Sequence, residues 1–291
     1  MKPPAVGYAR AGDVQEAVGL LAEHGTDSKV LAGGQSLVPL LSFRLARPSV
    51  LVDVNPIGDL AYIREDDGAL VIGATTRQRD VELSPVVAEA VPMLPEALRH
   101  VGHVTNRNRG TVGGSVAHAD SAAELPTVVT CLGGEIVVEG PRGRRTIAAE
   151  DYFTGTFTTA TEYDELLTAV RFPRLPAGTG VAVEELARRH GDFAIVAAFA
   201  AVHLGPDGTV DLVRLGLSGV DSVPRRLHEA EAALLGTRPT AEAITAAAAT
   251  APNTIRPSSD VHAPAGYRRE MAELLIRRAI TTASERSEVT T

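Results

Sequence analysis

The stretch Lys29-Val-Leu-Ala-Gly-Gly-Gln-Ser36 constrains this chain more than any other. Residues 29–32 read as a buried strand that breaks at Gly33 and Gly34. Polar Gln35 and Ser36 follow, then an apolar segment over residues 37–41. A strand that runs into paired glycines and a helical turn points backbone N–H groups at an anion. Glycine permits φ > 0 and lets the main chain come close to a ligand, and a helix start adds partial positive charge. A second stretch of similar build, Gly110-Thr-Val-Gly-Gly-Ser115, reads as another glycine loop. Either pair alone is also what an ordinary turn contains. Together, each beside apolar sequence, they read as two walls of one diphosphate site.

The elements around these stretches follow from periodicity and caps. Residues 5–8 read as a short strand. Asp13 and Glu16 make a capping-box-like start; Val14, Ala17, Val18 and Leu21 mark one helical face, and Gly25 stops the helix. A helix follows the first glycine pair to about Leu45, ended by Pro48, and residues 50–54 form a strand carrying Asp53. This compact α/β unit is not a dinucleotide-binding βαβ unit, because no Gly-x-Gly-x-x-Gly follows its strands. Past Asn55-Pro56, residues 62–65 and 69–73 read as a hairpin. Thr76 caps a helix to Leu83, a helix covers residues 92–99, and residues 100–110 read as a polar loop. Residues 124–132 read as a buried helix, and 135–139, 144–147 and 166–172 as strands. Pro173, Pro176 and Gly178 break the composition. Beyond them come three antiparallel strands, at 181–186, 195–204 and 210–217, with a hairpin turn at Pro206-Asp-Gly-Thr209. Helices at 224–235, 240–251 and 266–282 follow, and 285–291 reads as frayed. The units are therefore residues 1–56, 57–174 and 178–286.

Composition narrows the chemistry. A net charge of −8 argues against non-specific nucleic-acid binding. No apolar run is long enough to span a bilayer, and Met1-Lys-Pro-Pro opens no secretory signal, so a cytoplasmic location is expected. The single cysteine, Cys131, lies in the apolar run 128–132 and reads as a small buried hydrophobe. It cannot make an internal disulfide or a four-cysteine iron–sulfur site. Gly34-Gln-Ser36 lacks the second glycine of a nucleophile elbow, Val38 standing there. No Gly-Lys-Ser/Thr marks a P-loop, and the histidines show no metal-ligand spacing.

With Lys29-Val-Leu-Ala-Gly-Gly-Gln-Ser-Leu37, Thr111-Val-Gly-Gly-Ser-Val-Ala-His-Ala-Asp120 and Ala123-Glu-Leu-Pro126 in this order, nearly the whole chain resembles the FAD-binding medium subunit of molybdenum hydroxylases, the xanthine dehydrogenase and aerobic carbon monoxide dehydrogenase family. Arg188-Arg-His-Gly-Asp-Phe-Ala-Ile-Val196 resembles that family's C-terminal signature, and Val261-His-Ala-Pro-Ala-Gly-Tyr-Arg-Arg269 its closing helix. The resemblance implies an α+β chain: a two-part FAD-binding domain of the vanillyl-alcohol-oxidase (PCMH) type, then a domain with a three- to four-stranded antiparallel sheet and helices. It implies an oxidoreductase subunit that holds FAD non-covalently and passes electrons from [2Fe–2S] clusters to an external acceptor. The molybdenum cofactor and the clusters would sit on a large and a small partner subunit, in a dimer of heterotrimers. An alternative is a nucleotide-binding assembly or scaffold protein that keeps the fold without redox activity.

The cofactor residues implied are Lys29, Val30, Leu31, Ala32, Gly33, Gly34, Gln35 and Ser36 in the first motif, Thr111, Val112, Gly113, Gly114 and Ser115 in the second, then Glu124 and Leu166. Glycines at 33, 34, 113 and 114 leave room for backbone donors, while Ser36, Thr111 and Ser115 add hydroxyls. Glu124 stands where the family usually has Asp facing the flavin's ribityl and ring. His118 and Asp120 share that loop, as ligand contacts or as loop caps. Glu184 and Glu185 stand where the family often has a lysine near the flavin. Residues 101–110, with Arg107 and Arg109, are the expected docking surface for a cluster-bearing partner.

Overall fold

The computed structural model describes residues 2–287. Strands β1 (Gly7–Arg10), β2 (Ser28–Leu31) and β3 (Val50–Asp53) form a parallel sheet in the order β1-β3-β2. Between them lie helices α1 (Val14–His24) and α2 (Leu37–Ser42). The Asp13 side chain caps α1 by accepting the Glu16 N–H, while the Glu16 carboxylate reaches the Gly12 N–H at 2.7 Å. Gly25, at φ 57°, ends the helix, and Ala17, Val18 and Leu21 are its buried face. Helix α2 stops short of the expected Leu45 because Arg44 turns left-handed, at φ 59°. The N–H groups of Leu45 and Ala46 then close back on the Leu40 carbonyl.

The second unit opens with the hairpin β4 (Ile63–Asp66) and β5 (Ala69–Gly73), followed by five short helices: α3 (Gln78–Leu83), α4 (Pro85–Ala90), α5 (Met93–Leu98), α6 (Val104–Arg107) and α7 (Val112–His118). Then come α8 (Glu124–Cys131), β6 (Glu135–Gly140), β7 (Gly143–Ala148), α9 (Ala149–Tyr152), β8 (Phe153–Gly155), β9 (Thr158–Thr159) and β10 (Leu166–Pro173). Its main sheet is antiparallel, in the order β4-β5-β10-β6-β7. Three sequence expectations are corrected here. Thr76 does not cap α3; its hydroxyl exchanges hydrogen bonds with the Tyr62 backbone at 3.0 Å. Residues 100–110 are not all loop, since α6 forms one turn in which the Asn106 side chain accepts the His103 N–H at 3.1 Å. Helix α4 was not anticipated, although Ser84 as N-cap and Pro85 at the first helical position are its signals.

The third unit contains β11 (Gly180–Leu186), β12 (Val196–Leu204), β13 (Val210–Ser218) and the two-residue β14 (Arg225–Arg226), antiparallel in that order. Helices α10 (His228–Leu234), α11 (Ala241–Ala248), α12 (Ala251–Thr254) and α13 (Ala265–Arg286) follow. Helix α13 reaches Arg286, past the expected end at 282; the expected fraying of 288–291 lies outside the described residues. Every residue of β12 is buried, and its alternation explains how. Val196, Ala198, Ala200 and Val202 pack under residues of α10, α11 and α13. Ala197, Phe199 and Ala201 pack with Leu94 and Leu98 of α5 and Leu125 and Val128 of α8. One continuous core therefore runs across the Pro-rich break at 173–178. Burying a side chain such as Phe199 contributes about 1.5–3 kcal/mol, so this sheet is held from both faces.

Candidate functional site

The carboxyl ends of β2 and β3 face residues 106–110 across a cleft of about 720 Å³. Its walls include Tyr8, residues 31–35, Asp53, Asn55, Arg77, Asn106 and Arg109. Asn55 organises it: its backbone N–H donates to Asp53 Oδ1 at 2.9 Å, and Nδ2 donates to the Ala32 carbonyl at 2.8 Å. Its Oδ1 accepts from Arg77 at 2.8 Å. Arg77 also donates to the Arg109 carbonyl at 2.6 Å, which ties the two sides together. Burial pushes the Asp53 carboxyl up, but hydrogen bonds from Tyr8 and Asn55 outweigh it and hold the group below its ordinary value. Burial, with Arg109 nearby, lowers the Arg77 pKa. A basic rim above open backbone donors suits an anion.

The first motif has the geometry expected of it. Gly34 has φ 72°. A Cβ at Gly33 would lie 2.4 Å from the Arg109 carbonyl oxygen, so only glycine lets the loops cross there. Among the described residues, the backbone N–H groups of Gly33, Gly34, Gln35 and Ser36 have no acceptor. Gln35 folds back, Nε2 donating to the Gly33 carbonyl at 3.1 Å and Oε1 accepting from Asn106 at 3.3 Å. Unpartnered N–H groups need water or a ligand, and four in succession form a concave anion seat.

The second motif is built differently. It is not a loop: Thr111 is the N-cap of α7 and its Oγ1 accepts the Gly114 N–H at 3.1 Å. The N–H groups of Val112, Gly113 and Ser115 reach the carbonyls of Thr76, Ala74 and Thr111. Gly113 is required by packing, because a Cβ would sit 2.7 Å from Ala74 Cα. The wall is thus shaped by close helix approach, and the backbone donors of Val112, Gly113, Gly114 and Ser115 are already taken, leaving only the Thr111 N–H of this motif without an acceptor among the described residues.

The other candidates scatter. Lys29 is exposed at the start of β2, and Val30 packs on the core of the parallel unit. Leu166 is 3% exposed and packs with Val52, Val54 and Leu60, beneath the cleft and not on its wall. Asp120 caps its own loop through the Ala122 N–H at 2.9 Å, and His118 stacks near Phe157 at 5.0 Å. Glu184 and Glu185 part company. Glu185 shares a face with Ala197, toward α5 and α8, whereas Glu184 lines a surface groove with Arg277 and Arg278. Of the two, only Glu185 acts on the Glu124 carboxyl, so Glu124, Glu184 and Glu185 do not form one acidic cluster. Arg107 is not a docking residue. It is 6% exposed, donates to both Glu82 carboxylate oxygens at 2.8 and 3.2 Å, and also donates to the Val101 carbonyl at 2.9 Å. Tyr8, Asp53, Asn55 and Arg77 were missed as site residues. The available signal was Asp53-Val-Asn55 at the carboxyl end of a parallel strand, where open α/β sheets bind ligands.

An open seat of backbone donors between a small parallel unit and a larger antiparallel one defines a diphosphate-nucleotide-binding protein. The chain belongs to the family of FAD-binding medium subunits of molybdenum hydroxylases: residues 4–175 match the FAD binding domain in molybdopterin dehydrogenase, and residues 181–283 the CO dehydrogenase flavoprotein C-terminal domain. It is 40% identical to the 6-hydroxypseudooxynicotine dehydrogenase complex subunit alpha of Paenarthrobacter nicotinovorans, covering 100% of this chain and 98% of that one. It is 39% identical to the carbon monoxide dehydrogenase medium chain of Afipia carboxidovorans, covering 99% and 100%. Its fold is similar to the carbon monoxide dehydrogenase of Hydrogenophaga pseudoflava, solved without the Mo-pyranopterin moiety, with TM-score 0.96 at 40% identity over 99% of this chain and 100% of that one. Quinoline 2-oxidoreductase from Pseudomonas putida 86 gives TM-score 0.92 at 36% identity, covering 98% and 99%. The chain is an oxidoreductase subunit with FAD as its cofactor. Among the described residues no helix is long and apolar enough to cross a membrane.

Proposed function

We propose that this chain relays electrons through FAD, taking them from [2Fe–2S] clusters of a small partner subunit and delivering them to an external acceptor. A large molybdenum-cofactor subunit would carry out the hydroxylation, in a cytoplasmic dimer of heterotrimers. The observation that carries the reading is the row of four open N–H groups at Gly33, Gly34, Gln35 and Ser36, beside Arg77 and Arg109. These groups fit a diphosphate: charge-neutral donors approach closely, and the two guanidinium groups supply the balancing charge at the rim. When bound, FAD supplies two-electron and one-electron redox chemistry. The chain's own residues bind and orient it, and residues 1–56 and 57–174 form the two halves of its seat. No residue of this chain needs to act as general acid or base toward a substrate.

The test is a purified complex co-expressed with the neighbouring reading frames. It should contain iron, molybdenum and one FAD per copy of this chain. Removing the flavin should stop dye reduction while the clusters still accept electrons from substrate. Full dye reduction without flavin would overturn the relay role.

The flavin is expected to be non-covalent. Cys131 is fully buried, and burial pushes its thiol pKa far up. It packs against Gly216, where an added Cβ would be 3.2 Å from its Sγ. Acid precipitation should release all the flavin into the supernatant, and yellow colour in the pellet would contradict this.

A further inference from the structure

A cation and a carboxylate share the anion cleft without touching. Arg77 and Asp53 both line it, yet Arg77 makes no ion pair among the described residues. Its two hydrogen bonds go to neutral acceptors, the Arg109 carbonyl at 2.6 Å and Asn55 Oδ1 at 2.8 Å. Its remaining N–H donors have no acceptor among the described residues. Asp53 is equally occupied by neutral groups. Its Oδ2 accepts from the Tyr8 hydroxyl. Its Oδ1 accepts from the Asn55 backbone N–H at 2.9 Å and from Asn55 Nδ2 at 2.6 Å. Burial pushes the Asp53 carboxyl up, but these bonds outweigh it and keep the group ionised at neutral pH.

One side-chain amide therefore separates a full negative charge from a full positive one. The Asn55 amide offers its donor edge to Asp53 and its acceptor edge to Arg77. An arginine left free to choose takes a carboxylate over a carbonyl, because the charge-assisted bonds are shorter and about twice as strong. Its planar fork also fits a carboxylate through two parallel bonds. Such a pair would cancel the cation and use the N–H groups that a diphosphate needs. Carbonyl acceptors do the opposite: they fix the guanidinium and leave its charge intact.

Resting on the cofactor reading above, we propose that Asn55 is a positioning residue that keeps Arg77 apart from Asp53, so that the guanidinium stays charged and open toward the diphosphate of FAD. Asn55 also donates to the Ala32 carbonyl at 2.8 Å, so a loss on substitution could come from the first glycine loop alone. A double-mutant cycle separates the two causes. Asn55→Ala removes the spacer and the loop contact together. Asp53→Asn removes the competing charge and leaves an amide oxygen as a neutral acceptor.

The test titrates FAD into the co-expressed complex after its flavin has been stripped, following flavin fluorescence. With Asp53 in place, Asn55→Ala should weaken FAD binding roughly ten- to a hundredfold, the worth of one hydrogen bond to a charged group. In the Asp53→Asn background the same change should weaken it no more than about threefold, since coupled residues depart from additivity. Circular dichroism checks folding. Should Asn55→Ala not fold, Asn55→Ser, whose hydroxyl is too short to stand between the two groups, takes its place in the cycle. An equal loss in both backgrounds would assign Asn55 to the glycine loop and overturn the proposal. So would an Asn55→Ala complex that binds FAD as wild type does. Either result leaves the cofactor reading standing. A folded wild-type complex that takes up no FAD sinks that reading and the spacer role together.

Discussion

Gly34→Val is expected to purify folded and colourless. Gly34 holds φ 72°, a region that costs an ordinary residue about 1–3 kcal/mol and a β-branched one more. Its added side chain would also press on Val38 Cγ2, already 3.2 Å from an ideal Cβ. The loop relieves this by rotating, which turns the open N–H groups of Gly34 and Gln35 away from the cleft. A hydrogen bond to a charged group contributes roughly 1.5–3 kcal/mol, so losing two weakens FAD binding by about a hundred- to ten-thousand-fold. The fold survives because the core of the parallel unit, Val52, Val54, Ile57 and Leu60, lies elsewhere. Gly19→Ala, in α1 with nothing within 4 Å of its Cβ, is the control and should keep its flavin. Flavin absorbance per chain, with circular dichroism for folding, decides the matter; full flavin content in Gly34→Val would show that the diphosphate sits elsewhere. Gly114→Val should behave differently. Its Cβ would lie 2.6 Å from Thr111 Oγ1, so it breaks the α7 cap and costs about 1 kcal/mol of stability, with any flavin loss secondary.

Arg107→Glu should destabilise the chain by about 3–5 kcal/mol, the usual consequence of breaking a buried ion pair from one side. The variant sets its carboxylate against Glu82, whose remaining partner is Arg79 at 2.9 Å, and abandons the Val101 carbonyl. Urea denaturation would measure the loss; an unchanged midpoint would mean that Arg107 is solvated. Arg109→Glu, exposed on the cleft rim, should leave stability unchanged and weaken FAD binding. The pair also sets an acid dependence. Burial pushes the Glu82 carboxyl up, but bonds from Arg107 and Arg79 outweigh it, so its folded pKa lies below that of an ordinary glutamate. A depressed carboxylate contributes stability above its unfolded pKa and loses it as pH falls through the folded one. Wild type should therefore lose this stability in acid, below about pH 4.5, and Arg107→Ala should show a shallower acid limb.

Much was determined by the sequence alone, wherever the controlling interaction is local. The α1 cap at Asp13, the stop at Gly25, the strand that breaks at Gly33-Gly34 and the hairpin turn at residues 206–209 each follow from residues within one turn of each other. The same stretches carried the family resemblance. What only the tertiary structure decided involves partners far along the chain. Thr-Val-Gly-Gly read as a loop because two glycines cost a helix about 1 kcal/mol each, yet α7 forms there because glycine alone lets it lie on Ala74. Arg107 read as part of a docking surface because Glu82, which buries it, belongs to another helix. The alternation of β11 was legible, but both faces of the third sheet are covered, so hydrophobicity could not say which face Glu185 shares with Glu124. The packing of α5 and α8 against that sheet made the choice, by placing one carboxyl in the shared core and the other at the surface.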